Sequence, residues 1–172
     1  MFRTIEDFQK QWAYETDKTL GILKTLPTDR LAFPAGDAHR SLGRLAWHLV
    51  ESAVELPEHL GLTIDGPRMN PDGFIGTSVP ATAEAIAKEY EKVAASVAKQ
   101  VGFWKDADLT KEDSLYGETW QRGYSLFVLV VHQAHHRGQM TVLMRQAGLL
   151  VPEVYGPTRE MWAAYGKPVP AV

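Results

Sequence analysis

The chain has 172 residues, of which 45% are hydrophobic and 23% charged, with a formal net charge of −3. This mixture is typical of a folded soluble domain, and no cluster of Lys and Arg points to nucleic acid as a partner. The sequence contains no cysteine, which excludes disulfides, a catalytic thiol and thiolate metal ligands. The longest apolar run, Leu126 to Val131, is far shorter than the roughly 20 residues that a membrane helix needs. The N-terminus lacks the apolar core of a signal peptide, so we expect a cytoplasmic protein with no membrane partner.

The first half of the chain carries two helical patterns. A first helix is predicted to follow Thr4, which can cap it together with Asp7. It ends near Pro27 and the turn-rich stretch 33–37. A second helix is predicted over 41–60, with Pro57 near its end, and the stretch 61–79 is rich in Gly, Pro, Asn and Asp and is predicted to be a long loop. The apolar stripe of the first helix is Ile5, Phe8, Trp12, Leu20, Leu23 and Leu26, and that of the second is Leu42, Leu45, Leu49, Ala53, Leu56 and Leu60.

The second half carries two more helical patterns. A third helix is predicted over 82–101, and the linker 102–120 has room for a short strand or a turn. A fourth helix is predicted over 122–147, with Gly148 as its stop. Its apolar residues point nearly all round the axis, which is typical of a helix in a core or an oligomer interface. With a turn-rich tail over 151–172, the pattern predicts an all-α, four-helix bundle with long connections and a short C-terminal extension, as one domain over 1–172.

Histidines supply the chemistry that the sequence suggests. His132 and His136 are four residues apart and therefore share one helix face, in line with apolar neighbours. Buried imidazoles need partners, and a divalent metal such as zinc, nickel, copper or iron would satisfy both. His48 is the best candidate for a third ligand, because it lies at the border of an apolar stripe. His135 could be a ligand, a partner of a ligand or a core residue.

Other interpretations stand beside the metal site. Histidines four residues apart also arise by chance, and a packed, metal-free pair is one reading. Glu51 and Glu55 share a face with His48 and could support or close a site, although solvated carboxylates are the more common outcome. Gln139 could position a water or be an ordinary polar residue. The sequence contains neither HExxH nor Glu-x-x-His, which excludes the usual helix-borne zinc protease and di-iron patterns.

A resemblance enters through these same residues. His48 within the segment LAWHL, followed later by the motif His132-x-x-x-His136-Arg137-Gly138-Gln139, resembles the DinB-like family, the DinB/YfiT superfamily. The tail segment YGPT beginning at Tyr155 is similar to the tails of that family. The resemblance implies a four-helix bundle, a homodimer and one divalent metal, assigned in members as zinc, nickel or iron. It also implies that His48, His132 and His136 are the metal ligands.

The resemblance further implies thiol chemistry. Characterised relatives are transferases and isomerases that use a low-molecular-weight thiol such as bacillithiol or mycothiol. The leading hypothesis is therefore a metal-dependent thiol S-transferase acting on a small-molecule substrate, in which the thiol is brought from outside. A metal-dependent hydrolase, a non-enzymatic metal- or ligand-binding stress-response bundle and a metal-free structural dimer are the alternatives. Arg137 lies about 140° round the helix from His132, so we expect it to make a helix–helix or dimer contact.

Overall fold

A computed structural model describes residues 1–37, 39–68, 70–71, 76–169 and 171. Within them the fold is the predicted all-α bundle. A two-stranded hairpin, which occupies part of the linker before the last helix, is its small β component. The elements in chain order are α1 (Ile5–Leu23), α2 (Leu42–His59), α3 (Ala83–Val101), β1 (Glu112–Leu115), β2 (Glu118–Gln121) and α4 (Arg122–Gln146).

The helices begin and end where local chemistry directs. The Thr4 hydroxyl accepts a hydrogen bond from the Asp7 backbone N–H at 3.1 Å, and Ser41 and Thr82 cap α2 and α3 in the same way. These side chains satisfy backbone donors that the first turn leaves unpaired. At the end of α4, Gly148 adopts a φ of 73°, the left-handed conformation that terminates a helix at low cost. Pro57 is accommodated inside the last turn of α2.

The hairpin reverses direction at Tyr116 and Gly117. Both residues have positive φ, 51° and 83°, as the tight two-residue turns of β-hairpins require. The pairing is antiparallel, with Glu112 opposite Gln121. Short 3-10 turns lie over Thr28–Arg30, Asp106–Thr110 and Arg159–Tyr165.

The four helices form a ring in which each packs against two neighbours. α3 lies between α1 and α2, and α4 closes the ring by packing against both α1 and α2. The core between them includes Phe8, Leu49 and Leu126, all fully buried. Trp12 is buried as well, and its indole N–H donates to the Ala94 carbonyl at 3.0 Å, which ties α1 to α3. The pairing of α2 with α4 positions the candidate site.

One face of α4 remains exposed in the single chain. Tyr124, Phe127, Val131 and Val142 are all at least 39% exposed. The sequence predicted that the apolar residues of this helix lie in a core or in an oligomer interface. The core of the single chain covers only some of these residues. No helix in the described part of the chain is both long enough and apolar enough to cross a membrane.

Candidate metal centre

Three histidines from two helices meet at the α2–α4 contact. His48 lies in the second turn of α2, and His132 and His136 lie one turn apart on α4. The Nε2 atoms of His48 and His132 are 3.1 Å apart. One ring nitrogen from each of the three residues lies within 4.8 Å of the others. In tetrahedral coordination at about 2.0–2.1 Å, ligand nitrogens are about 3.3 Å apart, so small side-chain adjustments would fit these imidazoles around one ion.

All three imidazoles are held neutral. Burial, together with the positive charge of Arg40, lowers the pKa of His48 to about 3. Burial also lowers the pKa of His132, to about 4, with the neighbouring histidines contributing. The pKa of His136 is lowered by burial and partly restored by its hydrogen bond to Gln139. Neutral rings keep a nitrogen lone pair at physiological pH, and that lone pair is what metal coordination requires.

Gln139 orients one member of the triad. Its side-chain oxygen lies 2.8 Å from Nδ1 of His136. Because a carboxamide oxygen can only accept, Nδ1 carries the proton and Nε2 keeps the lone pair. Partners of this kind fix the tautomer and ring orientation of metal-binding histidines. Gln139 is therefore a hydrogen-bond partner of the triad, and the sequence had left this role open.

His135 lies outside the triad. It is exposed, and its Nε2 lies 3.0 Å from the Gln139 side-chain nitrogen. That amide N–H donates, so the His135 nitrogen accepts. Of the three roles predicted for His135, the structure supports that of a partner behind a ligand and excludes that of a core residue.

The two carboxylates on the face of His48 are engaged elsewhere. Glu51 is 2% exposed, so the expectation that it is solvated was wrong. It pairs with Arg44 and accepts hydrogen bonds from the Thr77 N–H and hydroxyl, both at 3.0 Å. Glu55 accepts from the Tyr116 hydroxyl at 3.0 Å. Neither belongs to the group of potential ligands found among the described residues.

The loop that leads into α3 is bound to α2 beside the triad. The Trp47 indole N–H donates to the Thr77 hydroxyl at 2.7 Å, and the Arg44 guanidinium donates to the Thr77 carbonyl at 2.8 Å. Trp47 is buried here, as Trp12 is in the core. Trp104 and Trp120 are half-buried.

Gln133 sets the register between the two helices that carry the triad. Its side-chain amide donates to the Leu49 carbonyl at 2.9 Å and to the Ser52 hydroxyl at 3.1 Å. Its oxygen accepts from the Tyr90 hydroxyl at 3.2 Å. A fully buried glutamine needs hydrogen-bond partners for its amide. These bonds hold Gln133, and with it the preceding residue His132, in a fixed position relative to His48. The one sequence signal for this role was a polar residue inside an apolar stripe.

Arg137 turns away from the triad, towards α1. It is 1% exposed and pairs with the buried Glu15. One guanidinium nitrogen also donates to the Thr19 hydroxyl at 2.9 Å, and another donates to Tyr155. The predicted helix–helix contact of Arg137 is confirmed.

A cleft opens beside the triad between the start of α2 and the second half of α4. Its volume is about 650 Å³. Gln139, which bonds His136, forms part of its wall, so the cleft reaches the neighbourhood of the triad. The other walls include His39, Arg40, Leu45, Val142 and Gln146. His59 packs its ring against Tyr116 and lies away from this cleft.

The site can hold an ion through three neutral nitrogens. Imidazole ligands suit zinc, copper, nickel and iron. Three protein ligands with a fourth position left free is the arrangement of catalytic zinc sites, whereas structural sites are closed by a fourth protein ligand. The fold and this cluster place the protein in a class of helical bundles that carry three histidines between the second and fourth helices.

The chain belongs to the DinB family, whose model matches residues 1–168. It is 36% identical over 171 residues to the uncharacterized protein YrdA of Bacillus subtilis strain 168, with 99% of each chain covered. A crystal structure of a DinB-like protein from Bacillus cereus ATCC 10987 shares 39% identity and superimposes with a TM-score of 0.81. That match covers 90% of this chain and 100% of the other. A DinB-like protein from B. subtilis, YjoA, is 16% identical with a TM-score of 0.66, covers 86% and 96% of the two chains, and supports the fold alone.

Proposed function

We propose that the protein binds one divalent metal ion, zinc, nickel or iron, through His48, His132 and His136. We further propose that it uses this centre to transfer a low-molecular-weight thiol to a small electrophilic molecule. The observation that carries the proposal is the convergence of three neutral imidazoles from two helices, held within 4.8 Å of one another. Neutral imidazoles brought together below the surface are costly to leave unpaired, and a metal ion pairs all three at once.

A metal position that no described side chain fills would favour catalysis over storage. Glu51 and Glu55 make their hydrogen bonds to Thr77 and Tyr116, and His135 lies outside the cluster. Among the residues that the structure describes, no other ligand joins the three histidines. A sequestering or purely structural site would be expected to close on the ion with a fourth side chain.

Thiol transfer assigns distinct tasks to the chain's own residues. A bound divalent ion would supply a deprotonated and therefore nucleophilic thiol at neutral pH. The three histidines would hold the ion, Gln139 would keep the ring of His136 in place, and the cleft beside them would admit the reactants. Since the chain has no cysteine, the thiol must be a separate small molecule, and bacillithiol and mycothiol are the candidates that the family resemblance suggests.

Metal-dependent hydrolysis is the second candidate. The same donor set, three neutral nitrogens with one free position, is that of enzymes in which zinc lowers the pKa of a bound water to about 7. The two activities are separated by the co-reactant, because hydrolysis needs no added thiol.

Metal content is the first test. Untagged protein should contain about one equivalent of zinc, nickel or iron per chain, measured by mass spectrometry, because three ligands define one site. His132→Ala should lose most of this metal while its circular dichroism spectrum stays helical. His59→Ala is the matched control, since it removes a histidine at the end of α2 that packs against Tyr116 away from the triad, and it should keep its metal. A wild-type protein that takes up none of these ions after each is added back would refute the proposal.

Activity is the second test. The metal-loaded protein, with bacillithiol or mycothiol, should accelerate conjugation of the thiol to an electrophile such as monochlorobimane, and His132→Ala should not. Acceleration that is equal in the two proteins would exclude the triad as the catalytic centre. Hydrolysis of an activated ester without thiol, lost in His132→Ala, would favour the second candidate.

We also propose that the protein is a homodimer. The exposed apolar residues of α4, Tyr124, Phe127, Val131 and Val142, support this, because apolar side chains exposed on one helix face commonly mark an interaction site. Light scattering during size-exclusion chromatography should give twice the chain mass of 19.2 kDa. The mass of a single chain at micromolar concentration would contradict the homodimer.

A further inference from the structure

Arg40 places a positive charge in the cleft beside the triad. It lies just before Ser41, the residue that caps α2, and its backbone carbonyl accepts from the Ala35 N–H at 3.3 Å. The side chain is exposed and lines the same cleft as Gln139. None of the described carboxylates forms an ion pair with it. Because Gln139 is hydrogen-bonded to His136, the shared cleft connects Arg40 with the neighbourhood of the triad.

The nearby charges make this arrangement unbalanced once an ion is bound. Three neutral imidazoles leave the full charge of a divalent ion in place. The charge of Arg44 is already balanced by the buried Glu51, with which it forms an ion pair. Arg40 would then add a further positive charge in the cleft that leads to that ion, and like charges repel. A negatively charged ligand in the cleft would relieve this repulsion from both sides.

The remaining walls of the cleft indicate the chemistry of the rest of such a ligand. Leu45, Val142 and Leu143 are apolar and lie in the same cleft as Arg40 and Gln139. A guanidinium binds a carboxylate through paired hydrogen bonds, whereas an aliphatic wall favours hydrocarbon. The cleft therefore combines a group that can bind an anion with apolar side chains that can contact hydrocarbon.

We infer that the molecule accepted at the metal's free position carries a carboxylate, joined to its metal-binding atom by a short hydrocarbon chain, and that Arg40 is the residue that binds this carboxylate. The inference rests on the proposed metal centre. It adds a substrate class, small carboxylates, and names a specificity-determining residue outside the triad. The carboxylate can belong to a thiol or to a molecule that has no thiol, and the chemistry at Arg40 is the same for both.

The test uses full-length protein loaded with cobalt(II), whose visible absorption changes when a ligand binds to the ion. In the thiol arm, 3-mercaptopropionate is compared with 3-mercaptopropan-1-ol, its neutral analogue of equal length. In the second arm, succinate is compared with succinamate. In at least one arm, the ligand with the additional carboxylate should bind about two- to fivefold more tightly to the wild type, the size expected of an exposed ion pair. The arm that shows the preference identifies the source of the carboxylate.

Arg40→Gln should abolish this preference and leave the cobalt content unchanged. Arg68→Gln is the matched control, since it removes an exposed arginine that lines a different cleft, and it should keep the preference. A preference that survives in Arg40→Gln would show that the carboxylate binds the ion or another group, and this would overturn the inference, as would equal binding in both arms. Failure to take up cobalt would overturn the metal centre and this inference together, whereas normal cobalt content without a preference overturns the inference alone.

Discussion

Gln139 determines how His136 presents itself. The ring has two nitrogens. The carboxamide oxygen of Gln139 lies 2.8 Å from Nδ1 and accepts a hydrogen bond from it, so Nδ1 is the nitrogen that carries the proton. Nε2 is thereby left to the centre of the triad. The amide nitrogen of the same side chain donates to His135, so the carboxamide is held at both ends and does not flip freely.

Replacement of Gln139 tests this positioning role. Gln139→Ala should weaken metal affinity about tenfold, at the lower end of what loss of such a partner costs in metal sites, because His136 would no longer be held in one tautomer. Gln139→Glu should keep the affinity within about threefold, since a carboxylate also accepts from Nδ1–H. Competition with a chromophoric chelator measures both values. Equal affinity in Gln139→Ala and the wild type would show that packing alone orients the ring.

At the scale of elements, α1 and α4 are joined by a buried ion pair. Arg137 and Glu15 are 1% and 2% exposed, and Thr19 and Tyr155 satisfy further donors of the guanidinium. The motif that begins at His132 therefore serves two purposes on opposite faces of one helix. Its histidines and Gln139 form the candidate metal centre, whereas Arg137 anchors the helix to α1.

Breaking this pair should be costly. Arg137→Met should lower the free energy of unfolding by about 3–5 kcal/mol, because the buried Glu15 charge would be left without a positive charge to balance it. The double variant Glu15→Met with Arg137→Met should recover most of that loss. Arg145→Met, which removes an exposed ion pair with Glu160, should cost less than about 1 kcal/mol. Urea denaturation measures all three, and a small loss in Arg137→Met with no recovery in the double variant would contradict this assignment.

The C-terminal segment is bound to the same ion pair through one phenol. The Tyr155 hydroxyl donates to the Glu15 carboxylate at 2.5 Å. Burial and this hydrogen bond raise the pKa of Tyr155 to about 12, from an ordinary value near 10. The folded protein therefore keeps a proton that the unfolded chain releases, so this contribution to stability is present below about pH 10 and falls as the pH rises towards 12.

An alkaline titration of stability checks the role of Tyr155. The difference in unfolding free energy between wild type and Tyr155→Phe should be about 1 kcal/mol near pH 8, the value of one hydrogen bond, and should shrink as the pH rises from 10 to 12. Urea denaturation at several pH values gives the two curves. Parallel curves across this range would show that the hydroxyl does not retain its proton preferentially in the folded state.

At the scale of the whole molecule, a bound ion would link α2 to α4 and so stabilise the bundle. Because the triad exists only in the folded chain, free zinc at about 1,000 times its dissociation constant should add about 4 kcal/mol to the unfolding free energy. Removal of metal with EDTA should lower the melting temperature measured by circular dichroism. His132→Ala should melt at the same temperature with and without EDTA. A wild type that is equally insensitive would contradict metal binding by the folded state.

The sequence by itself determined most of the secondary structure. α2, α3 and α4 begin and end within about two residues of their predicted bounds, a deviation within the usual uncertainty of helix ends, since caps, apolar periodicity and stop residues act over only a few positions. The two-residue hairpin turn was harder to predict, because Tyr116 is not a usual residue for positive φ. Leu26 belongs to the buried core but lies just after the end of α1, so its apolar periodicity continued past the helix. The all-α class and the family were both correctly predicted from the residues and their resemblance.

Only the tertiary structure decided which side chains meet. That His132 and His136 share a face follows from the helix alone, but their approach to His48 depends on how α4 packs on α2, and the buried Gln133 network fixes that packing. Glu51, which pairs with Arg44 of its own helix, is predicted from sequence to be a solvated carboxylate, and it is Thr77, from the loop before α3, that covers it in the fold. The physical reason is one of distance: caps and periodicity are local properties, whereas burial, pKa and coordination depend on residues that are remote in sequence.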